Sequence, residues 1–90
     1  MKRKEILAAA ERCVCGDREQ DYGTPERNFT RIAELWTAYL GCHTSAVDVA
    51  AMLALLKIAR IASGNAKEDN WVDLAGYAAC GGELETEAAE

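Results

Sequence analysis

The sequence predicts an all-α protein, a compact bundle of about four helices around one central apolar helix. Three observations indicate this fold. Apolar residues recur at helical spacing along four segments, capping residues and glycines separate the segments, and one segment is apolar around its whole circumference. We expect one helical domain over residues 1–84 and a short acidic tail over residues 85–90 that frays.

The first helix is predicted from Lys2 to Cys15, and Gly16 ends it. Its apolar residues at helical spacing are Ile6, Leu7, Ala10 and Val14. A polar loop follows, and it carries Arg18, Asp21, Tyr22 and Gly23. Such a loop, with a cation, an aromatic ring and a glycine beside a helix start, is a common place for ligand-binding residues. The alternative is a surface turn in which Tyr22 covers the helix ends.

The second helix is predicted to begin at Thr24, where a hydroxyl cap precedes Pro25 and an acidic residue in the first turn. Gly41 ends it. Its expected buried stripe consists of Phe29, Ile32, Ala33, Trp36 and Leu40, widened by Leu35 and Tyr39. Asn28 and Arg31 lie outside this stripe, so each could face either water or a ligand.

The central helix is predicted to begin after Ser45, which forms a capping pattern with Asp48. Between Ala46 and Leu56 only Asp48 is polar, so the helix has to be buried on nearly every side. A chain of 90 residues can hardly cover it, and we therefore expect a homo-oligomer built on its apolar surface. Lys57 and Arg60 are neighbours on one face near its C-terminal end.

The fourth helix is predicted to begin with Asp69 as its cap and to end at about Cys80 or Gly81. Its helical spacing places on one face Asp69, Asp73, Tyr77 and Cys80, with Gly76 allowing the close approach of another backbone. Asp69 and Asp73, one turn apart, could hold Mg²⁺ and through it phosphate oxygens. The alternative is that Asp69 only caps the helix and Asp73 pairs with Lys57 or Arg60.

Composition limits the function. The net charge of −5 argues against a general nucleic-acid binder but allows a local site for a small anion. No stretch approaches the roughly 18–20 apolar residues of a membrane span, and no signal peptide is recognisable, so we expect a cytoplasmic protein. The spacing of Cys13, Cys15, Cys42 and Cys80 favours reduced thiols over a zinc site, and a metal site using Cys42 and His43 is the less favoured alternative.

Four ordered motifs within residues 14–84 resemble an uncharacterised family of small phage and prophage proteins. They are D-Y-G at Asp21–Gly23, N-F-x-x-I-A-x-L-W at Asn28–Trp36, L-L-K-x-A-R at Leu55–Arg60 and D-x-W-V-D-x-A-G-Y-A-A at Asp69–Ala79. This resemblance implies a phage or prophage origin, and hence the cytoplasm of a host cell, but no defined activity.

The chain is more distantly similar to the all-α nucleotide pyrophosphohydrolases of the MazG type, whose relatives combine a D-Y-G loop, a K-x-x-R helix and a D-x-x-x-D-x-x-x-Y helix. This similarity implies that Lys57 and Arg60 meet phosphate oxygens and that Tyr22 or Trp71 stacks on a base. It also implies Mg²⁺ at Asp69 and Asp73. The family's E-x-x-E pair has no counterpart on the second helix, which favours binding without turnover.

We therefore expect a protein that binds a nucleotide or other phosphorylated small molecule, with the sequestration of a host nucleotide signal as one role of such binding. The expected ligand-binding residues are Arg18, Asp21, Tyr22, Gly23, Asn28, Lys57, Arg60, Trp71, Asp73 and Tyr77. One alternative is a Mg²⁺-dependent pyrophosphohydrolase of the MazG type, which would need further carboxylates such as Glu34 or Asp48. The other is an acidic inhibitor that binds a host enzyme.

Overall fold

The structure, a computed structural model, describes residues 1–16, 23–64 and 67–88. The described residues form four helices and no strand: α1 (Arg3–Cys15), α2 (Pro25–Leu40), α3 (Ala46–Ala62) and α4 (Glu68–Ala88). The predicted all-α fold is thereby confirmed. Expectations for the loop that carries Arg18, Asp21 and Tyr22 lie outside the described residues.

The core lies where α2, α3 and α4 meet. α4 packs mainly against α3 and α1, while α2 packs mainly against α3. The buried core residues are Phe29, Ala33, Val49, Ala50 and Cys80. Val49, in the first turn of the most apolar helix, is fully buried. Because α2 makes fewer contacts with α4 than with α3, a space remains on the side of α2 that faces α4.

The predicted starts of α2 and α3 are confirmed by their capping hydrogen bonds. Thr24 Oγ1 accepts a hydrogen bond from the Arg27 backbone N–H at 3.2 Å. At the start of α3, the Ser45 hydroxyl accepts from the Asp48 N–H, and the Asp48 carboxylate accepts from the Ser45 N–H, each at 3.0 Å. That second hydrogen bond, with a smaller contribution from the Ser45 side chain, holds the pKa of Asp48 below its ordinary value.

The ends of α4 differ from the prediction. The helix begins at Glu68, so Asp69 lies in the first turn and is not the cap. It continues through Gly81 and Gly82 to Ala88, beyond the predicted end near Cys80, and so includes part of the segment expected to fray. Gly81 allows α3 and α4 to approach, because a Cβ there would lie 3.0 Å from the Ala50 Cβ. The glycine therefore serves helix packing and does not stop the helix.

Burial of apolar side chains is less complete than the sequence predicts. On α1 and α2 the exposed ones that were expected in the buried stripes are Leu7, Leu35, Tyr39 and Leu40. On α3 the exposed ones are Met52, Leu55, Leu56 and Ile58. The expectation that α3 is buried on nearly every side is thus wrong for a single chain. One chain covers only one side of this helix.

None of the described helices combines the length and the apolar character needed to cross a membrane.

Candidate functional site

A cavity of about 400 Å³ lies between α1, α2 and α4 and reaches one residue of α3. This volume falls within the range of roughly 300–1,000 Å³ that is typical of small-molecule sites. Its apolar lining comes from Val14, Pro25, Phe29, Ile32, Leu53 and Val72. Its polar lining comes from Cys13, Asn28, Arg31, Asp73, Tyr77 and Cys80. A mostly apolar pocket with a few polar groups is the usual composition of a ligand site.

Two glycines shape the walls of this cavity. Gly76 on α4 lets α1 pack closely, since a Cβ at this position would lie 3.1 Å from Val14 Cγ1. The predicted close approach at Gly76 therefore exists, although the neighbour is a side chain. Gly23 lies just before α2 with a φ of 85°, in the left-handed region that favours glycine. It places the start of α2 at the cavity.

Two aromatic side chains form one part of the wall. Phe29 on α2 and Tyr77 on α4 have ring centroids 6.4 Å apart and planes inclined by 48°. Phe29 is buried, and Tyr77 is half-buried. Aromatic rings pack favourably in tilted or offset arrangements at such distances. A flat ring of a ligand could therefore pack against them in the cavity.

A lysine and a carboxylate form an ion pair behind this wall. Lys57 Nζ on α3 lies 2.8 Å from Asp73 Oδ2 on α4, and the two side chains are 9% and 30% exposed, respectively. Lys57 does not line the cavity, whereas Asp73 does. The ion pair is the one that the sequence offered as the alternative to a phosphate site. It orients the carboxylate at the cavity wall and gives the Lys57 ammonium a partner within the protein.

Asn28 and Arg31 both line the cavity from α2, and the sequence had left open whether they face water or a ligand. Asn28 is half-buried and Arg31 is exposed. The amide can donate and accept hydrogen bonds, whereas the guanidinium is a planar donor suited to phosphate or carboxylate. Arg31 is therefore a cationic group at the rim of an otherwise largely apolar cavity.

The structure brings together some of the predicted binding residues. Gly23, Asn28, Asp73 and Tyr77 line one cavity. Arg60 and Trp71 are exposed and lie outside its lining, and Lys57 lies behind Asp73. Sequence reasoning did not place Val14, Phe29 and Cys13 at the site, because Val14 and Phe29 have the helical spacing of ordinary core residues and Cys13 was considered only as a thiol. The position of Arg31 one turn after Asn28 was the signal that could have added it to the site.

The two predicted Mg²⁺ ligands, Asp69 and Asp73, differ in their exposure to solvent and in their partners. Asp69 is exposed in the first turn of α4, whereas Asp73 is half-buried and paired with Lys57. Within residues 1–16, 23–64 and 67–88, no group of three or more His, Cys, Asp or Glu side chains could share a metal ion. Cys42 and His43 are exposed in the link between α2 and α3. Mg²⁺ at Asp69 and Asp73 stays a prediction.

Comparisons with known proteins locate the chain among phage proteins. It is 42% identical over 77 residues to the Gene 55 protein of Mycobacterium phage D29, a match that covers 86% of this chain and 51% of the relative. It is 49% identical over 74 residues to the Gene 55 protein of Mycobacterium phage L5, covering 81% of this chain and 47% of that protein. The chain thus spans about half the length of these curated relatives.

No solved structure matches the chain significantly. The expected resemblance to small phage proteins is confirmed by the two relatives. The profile of the domain of unknown function DUF6378 matches residues 5–85, which include all of α2 and α3 and all but the first residues of α1 and the last turn of α4. The chain therefore belongs to the DUF6378 family of phage proteins.

Proposed function

We propose that the protein binds a nucleotide, or another phosphorylated small molecule that contains an aromatic ring, in the cavity between α1, α2 and α4. The observation that supports this proposal is the combination of groups around one space of about 400 Å³. An aromatic wall, a cationic rim and an oriented carboxylate are all present there. The aromatic wall suits a base, the cationic rim suits a phosphate, and the carboxylate suits hydrogen-bond donors of the same ligand.

The base would occupy the apolar part of the cavity. Phe29 and Tyr77 supply aromatic surface from two different helices, and Asn28 supplies an amide at the same wall. Stacking or edge-to-face packing of a flat ring adds roughly 0.5–1.5 kcal/mol beyond the burial of its area. The amide can form hydrogen bonds with ring nitrogens or with exocyclic groups of the base.

The phosphate would lie at the rim, next to Arg31. This guanidinium is exposed at the cavity and can form paired hydrogen bonds with two phosphate oxygens. It takes the part that the sequence assigned to Lys57 and Arg60. Lys57 is already bonded to Asp73, and Arg60 lies outside the cavity lining.

Asp73 would select ligands that present hydrogen-bond donors. An ionised carboxylate only accepts hydrogen bonds, so it would prefer the N–H groups of a base edge or the hydroxyl groups of a ribose. Lys57 holds one carboxylate oxygen at 2.8 Å, and the exposed part of the side chain reaches the cavity. The lysine also offsets a negative charge that would otherwise repel a phosphate.

Binding without turnover is better supported than hydrolysis. A pyrophosphohydrolase of the MazG type would need further carboxylates at its metal site, and the two candidates do not line the cavity. Asp48 accepts a hydrogen bond at the cap of α3, and Glu34 is exposed outside the lining of the cavity. In a phage protein, tight binding alone could sequester a host nucleotide signal. If no nucleotide binds, the alternative of an acidic inhibitor of a host enzyme is favoured.

The proposal is tested by measuring the melting temperature of the protein against linear and cyclic nucleotides, with Mg²⁺ and with a chelator. A ligand at about 100 times its Kd stabilises a protein by roughly 2.7 kcal/mol, which shifts the melting temperature of a small domain by several degrees. Ribonucleotides and deoxyribonucleotides, and guanine and hypoxanthine nucleotides, are compared to identify the donors that Asp73 accepts. A panel without any shift contradicts the proposal.

Arg31→Ala is the variant that links binding to this cavity. Loss of a charge-assisted pair of hydrogen bonds costs about 1.5–3 kcal/mol, so we expect affinity to fall roughly 10- to 100-fold in calorimetric titrations. Arg27→Ala is the matched control, because Arg27 is also exposed on α2 but does not line the cavity. Equal affinity of the two variants would remove Arg31 from the site.

A further inference from the structure

The side of α3 that points away from the other helices is apolar and exposed. We call it the outer face of α3, and it consists of Ala51, Met52, Leu55, Ile58, Ala59 and Ala62. Met52, Leu55 and Ile58 are 42%, 61% and 47% exposed, respectively. A single chain therefore leaves unburied the large side chains of its most apolar helix, at a cost of roughly 25 cal/mol for each Å² of apolar surface in water.

The outer face is one continuous stripe. Its residues recur at intervals of three and four, which is the spacing of neighbours on one side of a helix. The opposite side of α3 carries the buried residues Val49, Ala50 and Lys57. Asp48 continues the stripe at the N-terminal end of the helix, and the exposed Arg60 lies outside it, next to Ala59 near the C-terminal end. The centre of the stripe is thus free of charge.

The order of residues along this stripe is symmetric about Leu55. Met52 precedes it by three positions and Ile58 follows it by three. Ala51 and Ala59 stand four positions before and after it. When two copies of this helix pack antiparallel about an axis at Leu55, Met52 and Ala59 share one side of the contact, and Ala51 and Ile58 share the other. Met52 then lies beside Ala59 of the other copy and Ile58 beside Ala51, so that each large side chain meets a small one.

We propose that this protein forms a homodimer in which the outer faces of α3 pack antiparallel about a two-fold axis at Leu55. A two-fold interface uses the same patch on both copies, so the patch has to be complementary to itself. The outer face meets this condition, because each of its large residues beside Leu55 lies next to an alanine of the other copy. The alanines allow the helix backbones to approach, and Asp48 of one copy lies opposite Ala62 of the other.

The available area is sufficient for a specific dimer of modest affinity. Two outer faces with the adjacent Leu56, which is 44% exposed, would bury on the order of 1,000 Å², near the lower end for specific interfaces. The cavity stays open in this arrangement, because it lies between α1, α2 and α4. The dimer and the binding site are therefore independent proposals.

The test is the mass of the whole chain in solution, measured by light scattering and sedimentation equilibrium over a range of concentrations. We expect a mass of twice 9.8 kDa at high concentration. Leu55→Glu places two like charges at the axis and should yield a monomer with unchanged helix content. Leu7→Glu is the matched control, because Leu7 on α1 is 64% exposed and should leave the dimer intact.

Two further variants test the geometry. Ala59→Arg introduces a large charged residue into the space beside Met52 of the other copy, and it should also yield a monomer. In the double variant Met52→Glu, Ala59→Lys, the opposite charges are neighbours across the contact only when the helices are antiparallel, so this chain should dimerise more tightly than Met52→Glu alone. A parent mass of 9.8 kDa at every concentration overturns the proposal. So does a Leu55→Glu chain that keeps the mass of the parent.

Discussion

The ion pair between Lys57 and Asp73 connects packing and function at the level of single residues. Lys57 is buried, and its charge is tolerated because Asp73 Oδ2 lies 2.8 Å away. Removing one member of a buried pair leaves the other without its partner, whereas replacing both with apolar residues is often neutral. The pair thus fixes a carboxylate in the cavity wall and adds a polar contact to the packing of α3 against α4.

We expect Lys57→Met to lower the free energy of unfolding by about 1–3 kcal/mol. This is less than the roughly 3–5 kcal/mol typical of fully buried pairs, because Asp73 keeps 30% of its side chain exposed and water screens it. Asp73→Leu should also destabilise, and the double variant should recover part of the loss. Urea unfolding of the four chains measures the coupling. Strictly additive losses would show that the two residues act separately.

The positions of these residues were predicted from the sequence in part. The spacing of Asp73 and Tyr77 placed both on one face of α4, and they do line the same cavity. It could not decide between Lys57 and Arg60 as the partner of Asp73, since both lie near the end of α3. It also could not place Phe29 in a binding site, because a core aromatic and a ligand-contacting aromatic follow the same periodicity.

The helix starts were the most predictable features among the elements. Thr24 and Ser45 form their caps with residues three positions later, so the local sequence contains the whole interaction. The end of α4 was not predictable in this way. Gly81 and Gly82 are typical helix terminators, yet Gly81 packs against Ala50 from another helix. The reason for that glycine lies in tertiary packing, which local patterns do not contain.

Gly81→Ala and Gly82→Ala should therefore have opposite effects. A Cβ at position 81 would lie 3.0 Å from the Ala50 Cβ, and we expect a loss of about 1–2 kcal/mol in stability despite the better helix propensity. No atom lies within 4 Å of a Cβ at position 82, and we expect a gain of up to about 1 kcal/mol. Chemical denaturation measures both. Equal stabilisation of the two variants would contradict the close packing of α3 and α4.

At the scale of the whole molecule, the packing of the four helices leaves one cavity between helices and one exposed apolar helix face on which the two proposals rest. One is the cavity between α1, α2 and α4, and the other is the outer face of α3. The sequence indicated the second, because a helix with a single polar residue between Ala46 and Leu56 is too apolar for so short a chain to cover. It did not indicate the first, since a space between helices depends on their angles and not on the periodicity of any one helix.

The matched part of this chain covers only about half of each relative, so the proposed binding activity concerns that part alone. The family profile spans residues 5–85, and this range includes the positions that line the cavity and the whole of α3. A ligand in the cavity would contact three or four helices at once and should stabilise their packing as a unit.

The most direct test of the central claim is a nuclear magnetic resonance titration of the protein with the nucleotide that raises its melting temperature most. We expect the backbone amide signals of Val14, Asn28 and Tyr77 to shift with a common dissociation constant, since these residues line the cavity from three helices. The signals of Leu7 and Leu55, which are exposed elsewhere, should stay unchanged at constant dimer population. Saturable shifts confined to residues outside the cavity would contradict the account.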